Sequence, residues 1–186
     1  MTARLHVERA ARIVLAGGVV AYPTEAVFGL GCLPEDRAAV ERILAIKGRS
    51  WRKGLLLIGS DLEQLTRFAI LDGSPCREEI LQSWPGPNTW VLRATPAAPD
   101  WITGGRDSVG VRLTAHPIAR ALCARVGSAL VSTSANFSRR RPATRALGVR
   151  RALGTGVDYV LPGAVGDLPT PTRIRDGRSG RTLRPG

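Results

Sequence analysis

The chain has 186 residues, 44% of them apolar and 23% charged, which suffices for one domain with a sizeable core. Disorder as the main state and a small disulfide-stapled scaffold are excluded. Twenty-seven basic residues against fifteen acidic ones give a net charge of +12, a field that attracts RNA, nucleotides and acidic surfaces. A genomic base bias would explain arginine over lysine, but not basic over acidic. Cys32, Cys76 and Cys123 are odd in number and far apart, with neither metal nor disulfide spacing. The first apolar run is broken by Arg9 and Arg12, and no stretch is long and uncharged enough to span a membrane. The expectation is a reducing cytoplasm.

In chain order, His6 to Ala16 carries Val7, Ala10, Ala11 and Val14 on one face and stops at Gly17-Gly18, which predicts a helix. Val19–Tyr22 reads as a strand, Glu35–Ile46 as a helix and Leu55–Ile58 as a buried strand. Ser60-Asp61 opens a short helix. Ser74-Pro75 reads as an N-cap with proline at the first helical position, for a helix through Leu81. Strands follow at Thr89–Leu92 and Val109–Leu113, then a helix over Pro117–Val126 ended by Gly127. A strand at Ala129–Ser132, a basic helix near Arg145–Leu153, a strand at Tyr159–Leu161 and a terminal hairpin complete the order. The irregular alternation predicts a single α/β domain over 1–186, with a twisted mixed sheet and flanking helices.

The chain has no G-x-x-x-x-G-K-[ST] phosphate loop and no complete dinucleotide fingerprint. His6 and His116 lie in no triad or metal pattern. Four polar islands stand out within apolar sequence. Tyr22-Pro23-Thr24-Glu25 ends the first strand and reads either as a ligand-binding strand end or as a turn in which Thr24 caps. Lys47-Gly48-Arg49, with Lys53 close behind, holds the only two lysines of the chain. This cluster suits phosphate, or is a solvated helix end where cations complement the macrodipole. Ser132-Thr133-Ser134-Ala135-Asn136 is either a cradle for oxygens or a turn. Arg112 sits between Val111 and Leu113, so it faces opposite to them, to solvent or to a carboxylate.

Taken in order, AYPTEAVFGLGC (21–32), KGR (47–49), KGLLLI (53–58), WPGPNT (84–89), VGVRLTAHP (109–117), LVSTSAN (130–136) and the closing IRDGRSGRTLRPG resemble the YrdC-like family nearly end to end. The length is similar to its short, single-domain bacterial (TsaC-type) branch. The resemblance implies a twisted mixed sheet enclosing a large positive concave surface. It also implies L-threonylcarbamoyl-AMP synthesis from L-threonine, bicarbonate or CO2, and ATP, with pyrophosphate released. The group then passes to ANN-decoding tRNA through a partner complex. Implied partners beyond the substrates are therefore tRNA and the proteins of that complex, with no membrane.

By the same resemblance Lys47 and Arg49 hold phosphate and carbonate oxygens, with Mg2+ bridging the triphosphate and no protein side chain as metal ligand. Ser134 and Asn136, with Ser132 alongside, contact the nucleotide and carbamate. Thr24, Lys53 and Arg112 define the threonine end, and Thr172 and Arg184 reach the nucleotide. Two departures stand out: Ser50 replaces the family's usual proline, and Arg139-Arg140-Arg141 follows Ser138 where a glycine is common. That run is either a mobile solvated loop or a contact to tRNA or phosphate. Trp84, Trp90 and Trp101 read as packing anchors. The competing reading is a non-catalytic RNA-binding module of the same fold. As a helix-end residue, Lys47 is expected to matter for chemistry and little for stability.

Overall fold

The apolar stripe at Val7, Ala10, Ala11 and Val14 forms helix α1 (Ala3–Leu15) in a computed structural model that describes residues 3–138 and 140–186. Gly17, at φ +82°, turns the chain into strand β1 (Val20–Pro23), which pairs antiparallel with β2 (Phe28–Gly31). Strand propensity hides β2, because Phe-Gly-Leu-Gly is half glycine. Packing explains the composition. A Cβ on Gly31 would stand 2.6 Å from the Val131 carbonyl oxygen and 2.7 Å from the Tyr22 ring. Gly31→Ala is expected to lower stability by about 1–3 kcal/mol through overpacking, read as a shifted denaturation midpoint. An unchanged midpoint would mean that β2 can move aside.

Helix α2 (Arg37–Lys47) begins where Asp36 Oδ1 accepts from the Ala39 N–H at 2.9 Å, and ends at left-handed Gly48. Strand β3 (Leu56–Gly59) leads to α3 (Leu62–Thr66), which Asp61 caps as the Ser60-Asp61 pair predicted. After β4 (Ala69–Ile70), helix α4 (Arg77–Gln82) starts later than Ser74-Pro75 predicted and takes no side-chain cap from Ser74. Ser74 Oγ instead accepts from the Cys76 N–H at 3.3 Å and donates to the Gly177 carbonyl at 2.8 Å, tying the turn to the terminal hairpin. Strand β5 (Asn88–Ala94), the short α5 (Asp100–Thr103) and β6 (Ser108–Leu113) follow. Helix α6 (Pro117–Val126) matches its predicted bounds, capped by His116 Nδ1 and ended by Gly127 at φ +73°. The chain closes with β7 (Leu130–Ser134), α7 (Ala146–Leu153), β8 (Tyr159–Val160) and the hairpin of β9 (Arg173–Asp176) and β10 (Thr182–Arg184).

The strands join one mixed sheet in the order β10-β9-β5-β6-β3-β7-β2-β1-β8, with β4 paired to β5. The pairs β3–β6, β5–β9 and β1–β8 are parallel and the others antiparallel. Alternation sorts side chains onto two faces. On one face Phe28, Leu57, Trp90, Val111 and Val131 belong to the larger core, which α2 also enters through Val40 and Ile43. On the other, Val20, Tyr22, Ile58 and Leu130 pack under α1 and α6. Those helices cover only part of that face. Two residues beyond Leu130 on the same side of β7 stands Ser132, then Ser134; two residues before Ile58 on β3 stands Leu56. The uncovered stretch is where polar side chains gather.

The three tryptophans do pack as anchors. Trp90 is fully buried and Trp84 nearly so, while Trp101 donates its indole N–H to the Pro34 carbonyl at 2.9 Å. The terminal hairpin is fastened to them: the Arg175 guanidinium lies 4.4 Å from the Trp90 ring centroid.

Candidate active site

The uncovered stretch of sheet opens into a cavity of about 430 Å³, a usual size for a small-ligand site. Gly29 and Gly110, which lack side chains, line it from β2 and β6. Its cations are Arg49, Lys53, Arg106, Arg112 and Arg184, and its hydroxyls include Thr24, Ser132, Ser134 and Thr172. Among the described residues, no carboxylate lines it. Eight of the ten residues singled out from sequence therefore meet in one place. Lys47 and Asn136 do not line the cavity, but both are bonded to Ser134, which does.

Lys47 is the largest surprise. It is 4% exposed, not a solvated helix end. Its Nζ donates to the Ser134 carbonyl at 2.6 Å, the Asn136 carbonyl at 3.1 Å and Asn136 Oδ1 at 3.0 Å. Ser134 Oγ donates to the same Oδ1 at 2.6 Å. Asn136 Nδ2 donates to the Arg140 carbonyl, and Ser138 Oγ to the carbonyl of Lys47 itself. The end of α2 and the loop after β7 are thus tied at both backbone and side chain. Burial, and after it the adjacent Arg49 guanidinium, pulls the Lys47 ammonium down to about 8. The expectation that its loss would spare stability is corrected here, because Lys47 is buried and, among the described residues, its Nζ is the donor to the Asn136 carbonyl and a second donor to the Ser134 carbonyl and Asn136 Oδ1.

Arg49 donates through Nη2 to the Gly54 carbonyl at 3.0 Å, while its buried Nε finds no acceptor. Burial and the Arg106 charge both hold its pKa below the usual guanidinium value. Burial, then Arg112 and Arg49, does the same to Arg184. Arginines that depress one another mark a concentrated positive potential. Ser50 Oγ, standing where the family's proline is usual, accepts from the Arg52 N–H at 3.3 Å and caps the short 3-10 turn Trp51–Lys53. Of the arginine run, Arg140 closes the Asn136 loop through its carbonyl, and Arg139 lies outside the described residues.

Arg112 faces the cavity side of β6 as alternation required, and it is buried rather than solvated. Its Nη1 donates to Thr172 Oγ1 at 2.6 Å and its Nη2 lies 3.2 Å from Glu25 Oε2. That contact is ionic, since Oε2 takes no hydrogen bond, and Arg112 Nε has no acceptor. Arg184 Nη2 donates to the Thr172 carbonyl at 2.8 Å. Thr24 fills both of its alternatives: its hydroxyl donates to the Val27 carbonyl at 2.7 Å, closing the β1–β2 turn, and it also lines the cavity.

Glu25 and Arg106 carry weight that the sequence did not assign to them. Burial pushes the Glu25 carboxyl up, but the Arg112 charge with hydrogen bonds from Thr114 Oγ1 and the Ala115 N–H outweighs it, and the net pKa is lowered. The signal for Glu25 was its partner: Arg112, set between Val111 and Leu113, is a strand-interior cation, and buried charges need partners. His116 is structural: Nδ1 accepts from the Ala119 N–H at 3.4 Å, Nε2 donates to the Ala164 carbonyl at 3.1 Å, and burial lowers its pKa.

Comparison with known proteins supplies the context. The family model named for Sua5, YciO and YrdC, described as telomere recombination, matches residues 12–186. A threonylcarbamoyl-AMP synthase of Halorhodospira halophila is 55% identical over 98% of this chain and 96% of its own. One from Nitrosococcus oceani is 51% identical over 96% of each chain. Among solved structures, P. abyssi Sua5 complexed with L-threonine superposes with a TM-score of 0.86 at 32% identity, over 91% of this chain and 50% of that one. E. coli YciO gives 0.81 at 30% identity, over 94% and 84%. The chain thus spans about half the length of the Sua5 chain and nearly all of its bacterial relatives. With a shared mixed sheet and a cavity assembled from the motifs quoted above, the chain belongs to the Sua5/YciO/YrdC family.

Proposed function

We propose that this chain is a threonylcarbamoyl-AMP synthase, joining L-threonine, bicarbonate or CO2, and ATP into threonylcarbamoyl-adenylate and pyrophosphate. The observation that carries the reading is the lining of the cavity: five cations and several hydroxyls, with no carboxylate among the described residues. In the proposed reaction the threonine amine is carboxylated. The carbamate oxygen then attacks the α-phosphorus of ATP, and pyrophosphate leaves. Such a transfer needs alignment and cations over phosphate oxygens more than covalent help from the protein.

In this reading Arg49 binds phosphate and carbonate oxygens, while Lys47 sets the loop that offers Ser134 and Asn136, with Ser132, to the nucleotide and carbamate. Thr24, Lys53 and Arg112 take the threonine end, and Thr172 and Arg184 the nucleotide side. A donor set of cations and hydroxyls suits Mg2+ carried on the triphosphate oxygens rather than held by the chain, and there the ion would neutralise charge. A cytoplasmic setting, a tRNA-modifying role as a nucleotidyltransferase and a downstream transferring complex belong to the same proposal. Among the described residues, no helix is long and apolar enough to cross a membrane.

The test is pyrophosphate release from ATP. It is expected only when threonine and bicarbonate are both present, and to fall when serine, which lacks the methyl group, replaces threonine. Release without threonine, or none with the full set, would overturn the proposal. The latter, with an affinity for RNA that drops steeply with salt, would mark a binding module instead.

A further inference from the structure

Two guanidiniums of the cavity meet on one residue. Arg112 holds the Thr172 hydroxyl and Arg184 the Thr172 carbonyl. Only the first is neutralised. Arg112, at 5% exposure, is paired with Glu25, the sole buried carboxylate among the described residues. Arg49, Arg106 and Arg184 form no ion pair with a carboxylate among those residues.

Glu25 is fixed from two sides. Its Oε1 accepts from Thr114 Oγ1 at 2.7 Å and from the Ala115 N–H at 3.3 Å, just beyond the end of β6. Its backbone carbonyl accepts from the Leu168 N–H at 3.2 Å, and the segment crossing it is so close that a Cβ on Gly166 would lie 2.6 Å from that oxygen. The same segment runs on to Thr172. The acid, its base and the hydroxyl between the two arginines are therefore one assembly.

We propose that Glu25 is a specificity-determining positioning residue that divides the charge of the cavity. By neutralising Arg112 it reserves that corner for a singly charged carboxylate and leaves polyphosphate to the unpaired arginines. The physical reason is that Coulomb attraction scales with the product of the charges. A buried, unneutralised Arg112 would draw a triphosphate far more strongly than it draws a carboxylate. With Glu25 beside it, the net charge is close to zero, and recognition falls to hydrogen bonds with the guanidinium and the hydroxyls that line the cavity with it. This inference rests on the function proposed above, whose threonine carboxylate is the guest of that corner.

The experiment is calorimetric titration of the full chain with inorganic tripolyphosphate, without turnover, in the presence and absence of threonine. Glu25→Gln is expected to tighten tripolyphosphate binding about tenfold or more at low salt, as one uncompensated charge at close range should. Threonine is expected to leave wild-type tripolyphosphate binding unchanged and to compete with it in the variant. The double variant Glu25→Gln/Arg112→Gln returns to wild-type affinity or weaker, since both charges are gone. Glu25→Asp, which lengthens the ion pair, moves the same way by about two- to threefold and serves if Glu25→Gln does not fold. Unchanged tripolyphosphate affinity in the folded single variants, or the same gain in the double variant, overturns the inference. Failure of pyrophosphate release in the wild type would overturn the proposed reaction and leave this binding measurement standing.

Discussion

Replacing Lys47 with alanine is expected to abolish activity and to destabilise the protein together. Among the described residues the half-buried Asn136 carbonyl loses its donor, while the Ser134 carbonyl keeps the Asn136 N–H and Asn136 Oδ1 keeps the Ser134 hydroxyl; a buried group left unsatisfied costs roughly 1–3 kcal/mol. A loss of about 1–3 kcal/mol in unfolding free energy is expected. The rate of adenylate formation is expected to fall by at least about 10²–10³, the range seen when one preorganised donor is removed from a reacting site. Denaturant unfolding and pyrophosphate release measure the two effects. A variant that loses activity at wild-type stability would return Lys47 to a direct role on phosphate, with its contacts to the loop incidental.

The same residue predicts a divergence with pH. An ammonium has three N–H groups for three acceptors, and a neutral amine has two. As pH rises through about 8, the loop loses a donor, and activity is expected to fall along that limb. Stability moves the other way. The folded pKa lies below the unfolded value, so between about 8 and 10.5 the unfolded chain binds the extra proton, and the Lys47 contribution to stability rises with pH. Rate profiles and denaturation midpoints over one pH series separate the two; a parallel decline would assign the activity loss to unfolding.

How much of this was legible beforehand depended on the range of the interaction. Helix α6 announced itself through Pro117 and Gly127, and Arg112 through its place between Val111 and Leu113, because capping and alternation are local rules. Strand β2 did not, since its glycines answer to Tyr22 and Val131 rather than to their own propensity. The same limit governs charge. Lys47 in a helix's last turn reads as solvated until Ser134, 87 positions later, covers it. Glu25 reads as one acid in a polar turn until β6 brings Arg112 alongside. The resemblance to a family gathered four of the cavity's five cations, yet it could not say which cation was free and which was already paired. The registers of β1 to β2, β2 to β7, and β3 to β6 and β7 decide that.

The pairing of Arg112 has its own consequence for stability, and the sign of its pH dependence makes it testable. In the wild type the Glu25 pKa is held below its ordinary 4.5, chiefly by Arg112 against the upward push of burial. Its carboxylate therefore contributes stability above about pH 4.5, and that contribution is lost as pH falls through the lowered folded value. In Arg112→Ala only burial and the hydrogen bonds remain, so the folded pKa moves up and the buried charge becomes a liability as pH rises. Breaking a buried pair in this way costs about 3–5 kcal/mol at neutral pH. In acid, where Glu25 is protonated in both states of the variant, the cost shrinks. Unfolding midpoints measured from pH 4 to 8 are therefore expected to diverge, the gap between wild type and Arg112→Ala widening as pH increases. A gap of constant size would mean that Arg112 stabilises β6 by packing its alkyl chain, and that Glu25 does not depend on its charge. Threonine affinity, measured in the same variant, is expected to be lost at every pH, because the cavity's only neutralised guanidinium has gone.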